Sequence, residues 1–363
     1  MVMPAGDPHP GAVAARTGFG VDRYVSPRIA YWVSSFEPEM EAVAAEVACL
    51  RRAFPGSAAW GISGRDGWRI SWRNGFGFPP WAQLGFRALS GLAQWAFDIN
   101  HLFGGLGDWF HLKAVRKHPV IMTVAVHSPP ADQALLEKVD RFVVEWPGGR
   151  NYLESLGIPP KAIEMIFPPV DLERFYPSQP PDAPFTVLFA SSPDRADWLE
   201  ARGIPLLLAT AALLPNVRFR LIWRPWGDSL PAVRAMVRES GLNNVEITVG
   251  RFRNMEMHYQ AAHVTVFPFT SPNHCKPAPN SLLESLACGR PVVLTDVVGI
   301  GPIVAEAEAG SVSACTINAM VDSLRTVRQR WRHYSEHARS FAESCLAMER
   351  FFQAYGQLYS QHV

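Results

Sequence analysis

The sequence has almost no net charge, no long apolar run and no paired cysteines. Its 34 Lys and Arg residues against 33 Asp and Glu residues give a net charge of +1, so no overall field attracts nucleic acid. No stretch reaches the ~18 apolar residues of a transmembrane helix. With 363 residues, 48% of them hydrophobic, the chain can fill about two domain cores. The function of such a globular protein must reside in local sites.

The cysteines and histidines also lack the spacing of a metal site. The five cysteines are an odd number, lie far apart and form no CxxC pair, which predicts reduced thiols in a cytosolic protein. His101, His111 and His118 are spaced by ten and seven residues, which fits no usual zinc pattern. We therefore expect no metal and no cofactor.

Two N-terminal segments bear on localisation. Residues 1–25 contain Pro, Gly and an acid where a secretory signal needs a basic start and an apolar run, so we predict a flexible arm. Residues 79–99 predict a helix that is apolar almost all round. A helix buried in the N-terminal core is the favoured interpretation. Association of a cytoplasmic protein with the inner face of a membrane stays open.

Short β-rich runs alternate with helical patterns in both halves of the chain, which predicts parallel sheets with helices on their faces. Prolines between Pro177 and Pro184 mark a linker. Before it we expect strands at residues 28–33, 119–126 and 141–146 and a helix at residues 39–54. After it we expect strands at residues 186–192, 218–224, 245–250, 263–269 and 291–295. The pattern predicts two doubly wound, Rossmann-like α/β domains, residues 26–177 and 178–340, that face a central cleft.

The stretch Asn273–Thr295 reads as a loop, a short helix, a tight turn and a strand. Asn280 or Ser281 can cap the helix, and Gly289 can take the left-handed turn that ends it. The leucines of the helix form one apolar face, which leaves Glu284 near the positive end and away from the core. This glutamate either compensates the helix dipole or binds a ligand.

Four segments together resemble GT-B glycosyltransferases of the retaining group 1, or family 4, type. They are Ile166–Pro177, Thr186–Leu214, Met257–Phe269 and Asn280–Gly310. The resemblance implies an enzyme that moves a sugar, most often a hexose, from a UDP- or GDP-sugar to a glycan, lipid or small-molecule acceptor. It also implies that a helix over residues 341–363 packs back on the N-terminal domain. Neither the resemblance nor the residues identify the acceptor or the oligomeric state.

A nucleotide-sugar donor leaves as a diphosphate, and its growing charge must be neutralised. Because the sequence has no Asp-x-Asp motif for a metal, basic side chains and helix N-termini must do this. The donor-binding candidates are Arg195, Arg202, Arg224 and the amides of Asn280, Ser281 and Leu282. The resemblance implies that Glu284 holds the ribose hydroxyls and that a loop of Gly250, Arg251 and Phe252 lies near the base.

The chain departs from the family at one position of the site. Where the family has a second glutamate followed by Gly-Phe-Gly, this chain has Lys276 followed by Pro277-Ala278-Pro279, and the two prolines remove two N–H donors. Three alternatives stay open. Lys276 binds a phosphate or carboxylate of donor or acceptor, or the loop holds the sugar differently, or catalysis is lost and the protein is a nucleotide-sugar-binding partner in glycan assembly.

The N-terminal domain supplies a second catalytic candidate beside Lys276. His127 directly follows the strand predicted at residues 119–126, and it resembles the family's histidine in a Thr-x-His element. A histidine at the carboxyl end of an inner parallel strand is placed to hydrogen-bond a sugar hydroxyl or to orient the reacting groups.

Overall fold

The computed structural model of the protein describes residues 27–38, 41–62, 69–71, 75–130, 132–182, 184–273 and 275–362. The predicted arm, residues 1–25, lies outside this part of the chain. No helix within the described ranges is long and apolar enough to cross a membrane.

The N-terminal domain is built on an eight-stranded sheet with the order β3-β4-β2-β1-β5-β6-β7-β8. Neighbouring strands are parallel except β3 and β4. The strands are β1 Ile29–Val33, β2 Ala58–Ile62, β3 Arg69–Ser71, β4 Gly75–Phe78, β5 Ile99–Gly105, β6 Val120–Val126, β7 Arg141–Val144 and β8 Ile163–Met165. The helices are α1 Ala42–Ala53, α2 Gln83–Ala93, α3 Trp109–Ala114 and α4 Pro147–Ser155. The three predicted strands lie within their expected bounds, whereas β5 escaped prediction because INHLFGG lacks a β-branched alternation.

The C-terminal domain has a six-stranded, all-parallel sheet with the order β11-β10-β9-β12-β13-β14. The strands are β9 Thr186–Phe189, β10 Arg218–Trp223, β11 Val245–Val249, β12 Val264–Phe267, β13 Val292–Thr295 and β14 Gly310–Ser313. The helices are α5 Ile204–Ala212, α6 Ser229–Ser240, α7 Met255–Gln260, α8 Asn280–Ala287, α9 Gly301–Glu306 and α10 Ile317–Gln329. All five predicted strands occur. The strand order reverses between β9 and β12, and ligands bind at the carboxyl ends beside such a reversal.

The chain returns to the N-terminal domain at its end. Helix α11 (Trp331–Phe341) continues through a π-helical turn, Ala342–Leu346, and helix α12 (Met348–Ser360) follows. Aromatic and leucine side chains of α12 pack against β1 and β5 in one apolar cluster. His101 lies inside this contact, where its Nδ1 is 2.7 Å from the Tyr359 hydroxyl and its Nε2 is 2.8 Å from Thr123 Oγ1. Both ring nitrogens are thus satisfied by protein groups.

The prediction that the apolar helix of residues 79–99 is buried is wrong. Helix α2 and the short 3-10 turns beside it bury Phe86 and Ser90 but expose four large apolar side chains. These are Trp81 (76% exposed), Leu84 (80%), Leu92 (76%) and Trp95 (60%). Only a narrow stripe of the helix meets the sheet, so apolar residues on the remaining faces reach solvent. They form a surface that we call the α2 apolar patch.

Candidate functional site

The two domains enclose a cavity of about 180 Å³ where the carboxyl ends of their sheets meet. His127, Trp146 and Tyr152 line it from the N-terminal domain, and Cys275, Lys276 and Val298 line it from the C-terminal domain. His127 follows β6 directly, and its ring centroid is 4.8 Å from that of Tyr152. The fold therefore brings the two catalytic candidates, His127 and Lys276, to one cavity although they are 149 positions apart in sequence.

Lys276 is held by two buried carboxylates of the opposite domain. Its Nζ donates a hydrogen bond to Glu46 of α1 and lies 3.0 Å from Glu145 Oε2, just beyond β7. A third contact, 3.1 Å to Asn280 Oδ1, comes from its own domain. Glu46 and Glu145 are 3% and 2% exposed and Lys276 only 11%. This ion triad joins the domains at the mouth of the cavity.

The triad contains two carboxyl groups and one ammonium group. Burial, followed by the repulsion of Glu46, raises the pKa of Glu145 well above its ordinary value. Burial alone would lower the pKa of Lys276, but attraction to both carboxylates raises it overall, so the lysine stays charged. Glu145 is consequently the group of the triad that takes up a proton readily. Sequence reasoning missed both glutamates. The signals were the one acidic residue of helix α1 and an acidic residue directly after the strand RFVV of β7.

Glu284 lies on the second turn of α8 and is held by a tyrosine. The Tyr259 hydroxyl donates a hydrogen bond of 2.7 Å to Glu284 Oε2, and the tyrosine itself is fully buried. Burial raises the pKa of Glu284 to about 6, while this hydrogen bond and the charges of Arg174 and Arg224 oppose the rise. The carboxylate is therefore oriented, and it takes up a proton more readily than an ordinary glutamate does. Tyr259 was not predicted from sequence, because nothing in the spacing links it to Glu284.

Two of the three arginine candidates lie at the strand ends around the cleft. Arg202 Nη1 donates a 2.9 Å hydrogen bond to Ser191 Oγ, and the guanidinium stacks over Phe269 at 5.2 Å. Arg224 follows β10. Burial raises the pKa of Glu41 on the far side of the cleft, and the charge of Arg224 opposes that rise. Arg195 lies on the surface and pairs with Asp197 at 2.6 Å. The structure thus brings Arg202 and Arg224 toward the cleft and Arg195 into an exposed ion pair.

The N-terminus of α8 and the loop after β11 contain the remaining residues of the predicted donor site. Helix α8 begins at Asn280, and Pro279 is its N-cap. Of the three predicted backbone amides, that of Leu282 donates a hydrogen bond of 2.9 Å to the Pro279 carbonyl oxygen. The amides of Asn280 and Ser281 are the first two of the helix. Gly250, Arg251 and Phe252 follow the edge strand β11. A Cβ on Gly250 would lie 2.5 Å from Phe252 Cζ, so a larger residue at this position would displace the Phe252 ring. Arg251 and Phe252 line a second, open cavity of about 470 Å³ at this edge.

Comparison with known protein families is consistent with the geometry of the cleft. Residues 185–329 match the family described as "Glycosyl transferases group 1". The chain is 28% identical over 270 residues to a D-inositol 3-phosphate glycosyltransferase of Mycolicibacterium smegmatis, covering 69% of this chain and 59% of that protein. It is 27% identical over 203 residues to the enzyme of the same name from Streptosporangium roseum, covering 49% and 44%. The chain thus spans about half the length of the curated relatives that it matches.

Solved structures match the chain over nearly its whole length. Sucrose-phosphate synthase from Thermosynechococcus elongatus has a TM-score of 0.73 at 18% identity, covering 92% of this chain and 98% of that one. HepE from Anabaena in complex with UDP-glucose has a TM-score of 0.73 at 14% identity, covering 92% and 100%. At this identity the likeness shows the fold. The predicted resemblance to group 1 glycosyltransferases and the two-domain, Rossmann-like GT-B fold are confirmed.

Proposed function

We propose that the protein is a group 1 glycosyltransferase that moves a sugar from a nucleotide-sugar donor to an acceptor hydroxyl with retention of configuration. The observation that carries this proposal is the oriented Glu284 carboxylate at the carboxyl ends of the C-terminal sheet, with the charge of Arg224 acting on it and Arg202 close to Arg224. A carboxylate that accepts from two vicinal hydroxyls suits a ribose, and two guanidinium groups suit a diphosphate. The solved relative that holds UDP-glucose favours a UDP-sugar as donor.

The proposed transfer needs no nucleophile from the protein. The bond between the sugar's anomeric carbon and the diphosphate oxygen breaks, and the departing diphosphate accepts the proton of the acceptor hydroxyl. The acceptor oxygen then bonds to the anomeric carbon on the same face. Arg202, Arg224 and the first amides of α8 neutralise the leaving group, so the proposal includes no metal cofactor. His127 hydrogen-bonds the sugar from the opposite wall of the cavity.

Lys276 has a positioning role in this proposal. Its ammonium is bound by Glu46, Glu145 and Asn280, so a phosphate must displace a carboxylate to reach it. This favours the alternative in which the loop holds the sugar differently from the family pattern. The carboxylates that flank the pocket then come from the N-terminal domain, and Lys276 fixes them there. The lysine also couples formation of the pocket to closure of the two domains.

The test of the proposed activity is donor turnover. The purified protein is incubated with UDP- and GDP-sugars, with and without simple sugar, inositol and lipid acceptors, and released nucleoside diphosphate is measured. We expect one donor to be turned over, and His127→Ala to lower that rate by about 10²-fold or more, as loss of a hydrogen bond near the reacting centre does. Nucleotide binding without any turnover would favour the silent binding module instead.

The proposed place of action is the inner face of a membrane, and the α2 apolar patch is the observation behind it. Arg87 on α2 and Lys113 and Arg116 on and after α3 are exposed. Neither of these helices contains an acidic residue. Exposed tryptophans and leucines beside basic side chains suit an anionic lipid surface, where the rings reach the acyl boundary and the charges meet the headgroups.

Vesicle flotation measures this association. We expect binding to vesicles that contain phosphatidylglycerol and weaker binding to neutral phosphatidylcholine vesicles. Leu84→Ser with Leu92→Ser should weaken partitioning by about tenfold or more, because burial of each leucine is worth roughly 1.5–3 kcal/mol. Leu213→Ser is the matched control, since Leu213 is also exposed (53%) but lies in the C-terminal domain. Equal flotation of all variants would contradict a role for the patch.

A further inference from the structure

Two histidines of α11 and one glutamate from the turn between α9 and β14 converge on one point of the surface, remote from the cleft. His333 and His337 are four residues apart, so both rings lie on one face of the helix. Glu308 Oε2 lies 3.2 Å from His333 Nε2 and 3.8 Å from His337 Nε2. One ligand atom of each residue lies within 4.8 Å of the others. We propose that these three side chains bind a divalent transition metal ion of the zinc type.

The hydrogen bonding of His337 prepares its ring for a metal. His337 Nδ1 lies 2.9 Å from the backbone carbonyl oxygen of His333, and a carbonyl can only accept. Nδ1 therefore carries the hydrogen, and in the neutral ring the lone pair is on Nε2, which faces Glu308. Metal-binding histidines characteristically donate their second N–H to a carbonyl or carboxylate in this way. The carbonyl thus fixes the tautomer that ligation requires.

The ligand set matches the chemistry of zinc. Two imidazole nitrogens and one carboxylate oxygen, with a fourth position left to water, form a known tetrahedral zinc set. Ligands about 2.0–2.1 Å from a tetrahedral metal are separated by a little over 3 Å, close to the two distances observed. A neighbouring cation, Arg330 Nη2, lies 3.8 Å from the other carboxylate oxygen, Oε1, so Oε2 still faces the histidines. All three side chains are partly exposed, which gives an ion access.

A metal at this point would fasten α11 to the body of the C-terminal domain. Glu308 is the one non-glycine residue with a positive φ in the described ranges, 48°, and this conformation turns its side chain toward α11. Helix α11 leads through the π-helical turn into α12, which packs on the N-terminal domain. The site therefore lies at the C-terminal-domain end of the crossover between domains. Transfer at the cleft does not require this site.

Calorimetric titration of tag-free protein with ZnCl₂, supported by Co²⁺ absorption, tests the site. We expect one Zn²⁺ per chain, a tetrahedral Co²⁺ visible spectrum and a Zn²⁺-dependent rise in melting temperature. His337→Ala and Glu308→Gln should each weaken binding by about tenfold or more. His118→Ala is the control, because His118 is an exposed histidine paired with one carboxylate, Asp140. The proposal is overturned if Zn²⁺ does not bind, or if binding is unchanged in both site variants.

A second measurement separates this site from the cleft. Donor turnover in the presence of a chelator should be the same for His337→Ala and for the unaltered protein, because the three proposed metal ligands do not line the cavity. Hydrogen exchange of α11 should slow on Zn²⁺ addition in the unaltered protein and not in His337→Ala. Slowing in both proteins would place the ion elsewhere and overturn the assignment. The exchange measurement does not depend on the identity of the sugar donor.

Discussion

Lys276→Glu is expected to destabilise the protein strongly and to separate the two domains, although it restores the residue type usual in the family. The change places three carboxylates together in a site where the present side chains are at most 11% exposed. Removing one partner of a buried ion pair costs about 3–5 kcal/mol, and reversing its charge costs at least as much. Urea denaturation should show a lower midpoint, and small-angle scattering should show a larger radius of gyration as the cleft opens.

Two further variants isolate the charge from the loss of the side chain. Lys276→Met keeps the length of the side chain but leaves Glu46 and Glu145 without a cation, and we expect an intermediate loss of stability. Glu145→Gln should be tolerated best, because the raised pKa of Glu145 already favours its neutral form. If Lys276→Glu is as stable as the unaltered protein, the triad does not hold the domains together in solution, and the positioning role of Lys276 fails with it.

Glu284→Ala is expected to weaken nucleotide binding by about 100-fold or more. Each hydrogen bond to a charged group is worth roughly 1.5–3 kcal/mol, and the proposed ribose contact contains two of them. Calorimetry with UDP and GDP measures the change. Glu239→Ala is the control, because Glu239 is an exposed glutamate of α6 in the same domain. If Glu284→Ala binds nucleotide with unchanged affinity, Glu284 does not bind the ribose. The proposed function then loses the observation on which it rests.

The pH dependence of the same titration reports on Tyr259. Because the pKa of Glu284 is raised to about 6, the carboxylate is largely protonated below that pH, and nucleotide affinity should fall as pH drops from 7 to 5. The tyrosine hydrogen bond opposes that rise, so Tyr259→Phe should move the loss of affinity to higher pH. The free energy of unfolding changes with pH in the opposite direction to nucleotide affinity. Glu284 binds a proton more tightly in the folded state, so it stabilises the fold fully below its unfolded pKa of about 4.3, and this stabilisation is lost as the pH rises through about 6. Identical pH profiles for the two proteins would exclude a role for Tyr259.

The sequence by itself determined the C-terminal half of the protein well. Strands such as VVLT and VTVF are buried on both faces of a parallel sheet, so they appear as continuous β-branched and apolar runs. The turn at Gly289, with φ 64°, followed from the glycine between helix and strand. The resemblance to group 1 glycosyltransferases rested mainly on segments of this half, and it located Glu284 on the helix that the structure contains. These elements could be predicted from the sequence because each strand, turn or helix depends mainly on residues that are close to it along the chain.

Only the tertiary structure decided what surrounds these residues. Lys276 meets Glu46 across 230 positions of sequence, Glu284 meets Tyr259 across 25, and Glu308 meets two histidines of a later helix. The apolar composition of helix α2 predicts a buried helix. In the fold only one face of the helix packs against the sheet, and the apolar side chains on its other faces are exposed to solvent. The physical reason is the same in each case. Secondary structure follows from neighbours in sequence, whereas charge pairing and burial depend on how separate elements pack, which no local pattern contains.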